Sequence, residues 1–150
     1  AQMIANTTRL NTPGPALAAL PGVHAITDVT GFGLAGHALE MARGSDCTVE
    51  IDWPKVPLLS GVRELAAQGM VTGASGRNWS GYGQDVQLPA SFAPQDQALL
   101  SDPQTSGGLL VACRPDTVDQ VLATFRDQGF DRAAVVGRVS KGAAQLTVND

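Results

Sequence analysis

Residues 23–43 place a strand, a glycine turn and a helix end to end with no spacer, and no other part of this 150-residue chain limits the fold so strongly. VHAITDV (23–29) is punctuated by β-branched residues and follows the turn signal Pro21–Gly22, so it reads as a strand. TGFG turns the chain. LAGHALEMAR (34–43) then sets Leu34, Ala38, Met41 and Ala42 on one helical face, and Gly44 stands where a helix stop belongs. Gly31, Gly33 and Gly36 have the spacing G-x-G-x-x-G of a dinucleotide-binding turn. Asp28 lies three residues before the first of them, near the end of the strand. Either the turn holds the pyrophosphate of a nicotinamide cofactor, or the aspartate carries the chemistry and the glycines are its scaffold.

The rest of the pattern places these residues in a fold. A short helical run follows Pro15 within 10–20, and CTVEIDW (47–53) alternates as a half-buried strand until Pro54 and Pro57 end it. LLSGVRELAAQ (58–68) is a helix with Gly69 as its stop. From Met70 to Pro94 the glycine-rich sequence shows no helical period. It is functional, or contains short strands that the pattern does not place, or is a surface excursion; Arg77, Asn78, Trp79 and Tyr82 could make it a lid or contact surface. DQALL forms a short helix, SDPQTSGG a turn, and GLLVACR (108–114) a strong strand. DTVDQVLATFRDQ (116–128) spaces Val118, Val121, Leu122 and Phe125 as an amphipathic helix, with Asp116 as N-cap and Gly129 as stop. AAVVGRVS (133–140) and AQLTV (144–148) read as an antiparallel pair joined at Lys141–Gly142, a hairpin signal. The sum is an α/β (α+β) fold, a mixed sheet flanked by helices, in one domain over 1–150. Residues 1–20 are a helical lead-in and 21–150 the core.

Charge and cysteine usage narrow the function. A net charge of −4 argues against a broad nucleic-acid face, although backbone N–H groups and a metal could still make a local phosphate site. No apolar run approaches the ~18 residues of a membrane span, and nothing resembles a signal peptide, so no membrane partner is expected. Cys47 and Cys113 lie far apart in β-like runs and read as buried thiols suited to a reducing cytoplasm. His37 and His24 read as core-edge histidines rather than catalytic bases. The chain opens AQMIANTTRLNTPG with no initiator methionine, which fits a piece of something longer.

The dinucleotide reading has a strand before the turn, a helix after it, and Glu50 and Asp52 about 20 residues on, where a ribose-binding acid belongs. Against it, the approach is Thr27-Asp28-Val29-Thr30 rather than apolar, and no βαβαβ alternation follows residue 53. An ionised carboxylate also repels a pyrophosphate unless a cation lies between them. If Asp28 leads, it offers a hard oxygen on a rigid strand end beside a helix N-terminus, a suitable Mg²⁺ ligand, with Thr30, Gly31 and Gly33 as phosphate or turn support. A third reading has Asp28 capping its own turn. In SDPQTSGGLL (101–110), Pro103 fixes a turn, Thr105 and Ser106 supply hydroxyls, and Gly107–Gly108 permit close backbone approach. That loop is either an anion or partner contact, or a tight connection in which Asp102 and Thr105 satisfy local backbone N–H groups.

TDVTGFGLAGH followed by DPQTSGGLL, with GASGRNW between them, resembles the C-terminal half of the selenophosphate synthetase (selenide, water dikinase) family over roughly residues 20–148. The resemblance implies an architecture like that of aminoimidazole ribonucleotide synthetase. An N-terminal domain would form a homodimer barrel and most of the ATP site, with a C-terminal α/β domain packed against it. It also implies conversion of ATP, selenide and water to selenophosphate, AMP and phosphate, with Mg²⁺ ions bridging phosphates to several aspartates. Asp28 matches one of these. The family's reactive cysteine or selenocysteine, its adjacent lysine and the other metal aspartates lie upstream and are not in this sequence; Cys47 and Cys113 do not match the reactive position. The chain alone is therefore expected to be inactive. The alternative is an inert packing or self-association module whose exposed face meets the N-terminal domain.

Overall fold

A computed structural model describes residues 2–150, so Ala1 of the lead-in lies outside the described residues. Two short helices, α1 (Gln2–Thr7) and α2 (Pro13–Ala18), lead into strand β1 (Val23–Asp28) and helix α3 (Gly33–Ser45). Next come β2 (Cys47–Asp52), α4 (Val62–Ala67), α5 (Gly73–Tyr82), the two-residue strand β3 (Val86–Gln87) and α6 (Pro94–Leu100). β4 (Leu109–Cys113), α7 (Val118–Asp127), β5 (Gly137–Lys141) and β6 (Gln145–Asn149) complete the chain. The strands form a two-stranded sheet, β1-β4, and a mixed four-stranded sheet ordered β3-β6-β2-β5. This is the mixed α/β class that the sequence pattern implies.

Two apolar clusters hold these layers. In the larger one, α3 packs on the four-stranded sheet through Ala35, Ala38, Leu39 and Ala42, which meet Val49 and Ile51 of β2 and Leu146 and Val148 of β6. Three alanines on that face let the helix axis sit close to the sheet, and Trp53, Tyr82 and Leu100 close the periphery. The smaller cluster sets Leu17 of α2 and Val121 and Phe125 of α7 against Val23, Ile26, Leu109 and Val111 of the β1-β4 pair. Among the described residues no helix is long and apolar enough to cross a membrane.

The structure corrects several local expectations. The buried stripe of α3 centres on Ala35, Ala38, Leu39 and Ala42, leaving Leu34 and Met41 half-buried, because the small alanines and not the bulkiest side chains face the sheet. Gly44 lies inside α3; the stop is Asp46, in the left-handed region at φ 48°, whose N–H donates to the Ala42 carbonyl. Aspartate is one of the few side chains that tolerate that conformation. The helix expected over 58–68 begins only at Val62, after Gly61 at φ 80°. Asp116 is not an N-cap: residues 115–117 form a 3₁₀ turn, and its carboxylate accepts from Arg114 Nε and Thr117 Oγ1 instead.

Two larger differences have tertiary causes. The stretch from Met70 to Pro94 contains a short strand, β3, which is one of the alternatives the pattern leaves open, and a helix, α5, which its lack of helical period does not predict. Thr72 starts that helix by accepting the Ser75 N–H at 3.2 Å, a cap that satisfies one orphan donor of the first turn. β5 and β6 do not form a hairpin. β2 lies between them, antiparallel to β5 and parallel to β6. The connection at 142–144 therefore crosses two strand spacings of about 4.8 Å each. It does so over Thr48, whose hydroxyl donates to the Ala143 carbonyl at 2.9 Å, while a Cβ on Gly142 would overlap the same hydroxyl.

Leu39 is wholly buried on α3 and Met41 only partly. Leu39→Ala is expected to lower unfolding free energy by about 2–5 kcal/mol in urea titration, and Met41→Ala by less than half as much. Equal losses would place the helix in the wrong rotation.

Candidate functional site

The two glycine-rich loops are joined into one structural unit. β1 runs antiparallel to β4, so Asp28 lies opposite Leu109. Beyond the sheet the pairing continues: Val29 N–H donates to the Gly108 carbonyl at 2.8 Å, and the Thr30 carbonyl accepts from the N–H groups of Gln104 (3.0 Å) and Gly33 (3.1 Å). Gly107 passes the Val29 carbonyl so closely that a Cβ there would overlap its oxygen. Asn11 Nδ2 donates to the Gly107 carbonyl at 2.9 Å, which ties the lead-in to the same loop.

Helix α5 braces this unit from the other side. Asn78 Nδ2 donates to the carbonyls of Gly31 (2.9 Å) and Ser101 (3.0 Å), one in each loop. The Tyr82 hydroxyl donates to the Phe32 carbonyl at 2.6 Å, and burial pushes its pKa up to about 12. Ser75 Oγ donates to the Ala98 carbonyl at 2.6 Å and lies 2.8 Å from Ser101 Oγ. Asn78 and Tyr82 thus act inward as ties, not as a lid, whereas Arg77 is exposed. The only sequence signal for this role is the cluster of polar residues within GASGRNW; carbonyl partners 23 to 50 residues away in the chain leave no local pattern.

Asp28 stands at the end of β1, exposed, and among the described residues its carboxylate accepts no hydrogen bond, so no turn-capping bond is present. Two residues on, Thr30 Oγ1 lies 3.3 Å from His37 Nε2, and His37 Nδ1 lies 2.8 Å from Glu40 Oε2. His37 is 7% exposed, whereas His24, expected at the core edge, is exposed. In the second loop, Asp102 accepts from Thr72 Oγ1 (3.3 Å) and Gln104 Nε2 (3.1 Å), so its partners are side chains rather than the local backbone. Burial raises the Asp102 carboxyl above its usual range, partly opposed by the Thr72 hydroxyl. Cys47 and Cys113 are free and half-buried rather than buried, and both line a small cavity of about 180 Å³; burial and Asp116 push the Cys113 thiol up.

The dinucleotide reading fails on this geometry. It needs the strand before the glycines and the strand after the helix side by side in one sheet. Here β1 and β2 belong to different sheets, and the only strand paired with β1 among the described residues, β4, is antiparallel. The space beside two of the glycines is already filled. A Cβ on Gly33 would lie 2.6 Å from the Ser101 carbonyl carbon, and one on Gly36 would overlap Phe32. The acids expected at a ribose are engaged too: Glu50 with Arg138 (2.8 Å) and Ser140 (3.1 Å), Asp52 with Lys55 (2.6 Å) and Asn149 (3.4 Å). The Arg138 guanidinium holds the Glu50 carboxyl below its ordinary range.

What remains is one open carboxylate on a rigid strand end with a hydroxyl two residues on. These are hard oxygen donors of the kind Mg²⁺ takes. Among the described residues no group of three or more His, Cys, Asp or Glu side chains could hold a metal. The donor set therefore fits one share of a cation site, not a complete cage.

Gly33 sits at φ +70° against Ser101, while nothing lies near Gly31. Gly33→Ala is expected to destabilise by at least ~1–2 kcal/mol from backbone handedness alone. Gly31→Ala should stay within about 0.5 kcal/mol, both read by chemical denaturation. Asp102 gives a pH signature. Its pKa is raised in the folded state, so its contribution favours the fold below the ordinary value of 3.8 and is lost as pH rises through the folded value. Asp102→Asn should therefore melt at or above the wild-type temperature at pH 7, with the difference closing as pH falls toward 4; a lower Tm at pH 7 would reverse that sign.

The family described as AIR synthase related protein, C-terminal domain, matches residues 6–149. The chain is 62% identical over 149 residues to a selenide, water dikinase of Burkholderia pseudomallei (strain K96243), covering 99% of this chain and 42% of that protein. It is 58% identical over 146 residues to the protein of that name from Pseudomonas straminea, covering 97% of this chain and 41% of that one. It thus spans about two-fifths of the length of these relatives. Among solved structures, E. coli HypE superposes with a TM-score of 0.67 at 18% identity, over 93% of this chain and 35% of HypE, which is a likeness of fold. By its match over residues 6–149, this chain belongs to the AIR synthase related protein C-terminal domain family.

Proposed function

We propose that the chain is the C-terminal domain of a selenophosphate synthetase, with residues 1–20 as its lead-in and 21–150 as its core. In this reading it contributes Asp28 as a Mg²⁺ ligand to a cleft completed by the N-terminal domain of the same enzyme. The parent enzyme would be a cytoplasmic homodimer that converts ATP, selenide and water to selenophosphate, AMP and phosphate. The observation that carries the reading is the open Asp28 carboxylate, held at a strand end by the paired loops and committed to nothing else among the described residues. The name shared by its relatives supports the reaction.

Phosphoryl transfer needs little covalent help from protein; it needs positioning and neutralisation of charge. A Mg²⁺ held by Asp28 would supply that neutralisation at the phosphates. Thr30, Gly31 and Gly33 would support it by shaping the turn, and the Asn78 and Tyr82 ties would keep that turn from drifting. One carboxylate does not hold Mg²⁺ ions against a triphosphate, so the chain alone should not turn over ATP.

The test is Asp28→Asn in the full-length enzyme, or in the Burkholderia pseudomallei relative carrying this chain in place of its own C-terminal part. ATP-dependent selenophosphate formation should fall roughly a hundredfold or more, as loss of a catalytic metal ligand predicts. Activity near wild type would remove Asp28 from the site. Titration of the chain by itself should show no tight nucleotide or Mg²⁺ binding, and tight binding of either would contradict the shared-cleft reading.

A second reading, an inert association module, draws on exposed Met3 (64%), Ile4 (61%), Leu10 (77%) and Met70 (69%). Size exclusion with light scattering decides it, since a clean monomer at high concentration would count against self-association.

A further inference from the structure

His37 and Glu40 have no part in the function proposed so far, yet they form a directed chain of hydrogen bonds that ends on the turn beside Asp28. Glu40 is exposed (55%), His37 is almost fully buried, and Thr30 is half-buried, so the chain runs from solvent inward to the turn. Phe32 covers the imidazole, with ring centroids 5.9 Å apart. α3 supplies both partners: positions 37 and 40 are one turn apart, so the two side chains meet on one face of the helix.

The direction of these bonds follows from the chemistry of the groups. An ionised carboxylate can only accept, so the contact of 2.8 Å between Glu40 Oε2 and His37 Nδ1 places the imidazole proton on Nδ1. In the neutral ring the lone pair is then on Nε2, which accepts. With the ring neutral, the partner at Nε2, the Thr30 hydroxyl at 3.3 Å, donates. A hydroxyl has one proton. With that proton given to His37, Thr30 has none to offer a phosphate oxygen, and only the lone pairs of Oγ1 remain. Mg²⁺ usually keeps several waters, and each of these waters is a donor.

The geometry points to Thr30 as a positioning residue, oriented through the Glu40–His37 pair so that its hydroxyl oxygen accepts a hydrogen bond from a water in the coordination shell of the cation at Asp28. This rests on the Asp28 reading above and narrows Thr30 from phosphate or turn support to one chemical role. His37 fixes the direction of the hydroxyl, and Glu40 fixes the tautomer of His37. Partners of this kind orient the first shell of a metal, and their loss typically costs about 10–100-fold in metal affinity.

The experiment is a Mn²⁺ titration followed by electron paramagnetic resonance, on the full-length protein with a non-hydrolysable ATP analogue bound. Affinity for the analogue is measured separately. Thr30→Val removes the hydroxyl and keeps the shape; it should weaken Mn²⁺ about tenfold. Thr30→Ser restores the hydroxyl and should return close to wild type. Glu40→Ala, at an exposed position that leaves the core intact, should weaken Mn²⁺ by a smaller factor by releasing the tautomer. If Thr30→Val binds Mn²⁺ as wild type does while Asp28→Asn binds it weakly, the role of Thr30 is wrong and that of Asp28 survives. If Thr30→Val loses the nucleotide analogue and keeps Mn²⁺, Thr30 is a phosphate donor and the inference is overturned. If Asp28→Asn itself keeps wild-type Mn²⁺ affinity, the metal reading fails, and this one with it.

Discussion

The site depends on the close passage of Gly107 under the Val29 carbonyl. No side chain fits there, and the contact allows the ladder between β1 and β4 to continue one step beyond the sheet through Val29 N–H and the Gly108 carbonyl. The strand end carrying Asp28 is thereby fixed on both sides, by β4 along the sheet and by the 101–108 loop past it. A carboxylate at a free strand end would sample many positions. The backbone of a doubly anchored turn has lost that freedom at folding, and preorganisation of this kind lowers the cost of ordering a site on binding.

Gly33, Gly36 and Gly107 therefore serve the chain's own packing. Gly33 admits the Ser101–Asp102 backbone, Gly36 makes room for Phe32 and Tyr82, and Gly107 admits Val29. The spacing G-x-G-x-x-G describes how tightly a strand, a turn and a helix can be packed. It does not say what fills the space that is left, and here that space holds protein beside Gly33 and Gly36 and is open beside Gly31. The sheet topology argues against a doubly wound dinucleotide site independently of the glycines.

The elements with strong local periodicity were legible: β1, β2, β4 and α7 lie where alternation and the 3.6-residue repeat place them. The position of Asp28 at a strand end was legible for the same reason. Helix α5 was not, because it lacks an apolar stripe and stands on one Thr72 cap and on polar ties to carbonyls far away in the chain. The partner of β5 was hidden for a related reason. Lys141–Gly142 has the composition of a hairpin turn, but strand pairing is decided by which neighbour buries more apolar surface, and β2 carries Val49 and Ile51. The Glu40–His37–Thr30 chain could be suspected from the i, i+3 spacing on α3. Its connection to the turn needed the fold.

The insertion of β2 between β5 and β6 has a consequence for how the protein is made. β2, one of the two inner strands of the larger sheet, is synthesised about 90 residues before either of its partners, and no earlier strand pairs with it. Until β5 and β6 have been made, β2 has no strand to pair with. Contacts this distant along the chain slow folding and prolong the exposure of unpaired edges. β6 supplies Leu146 and Val148 to the middle of the core, so the larger cluster closes only when this distant strand has joined β2.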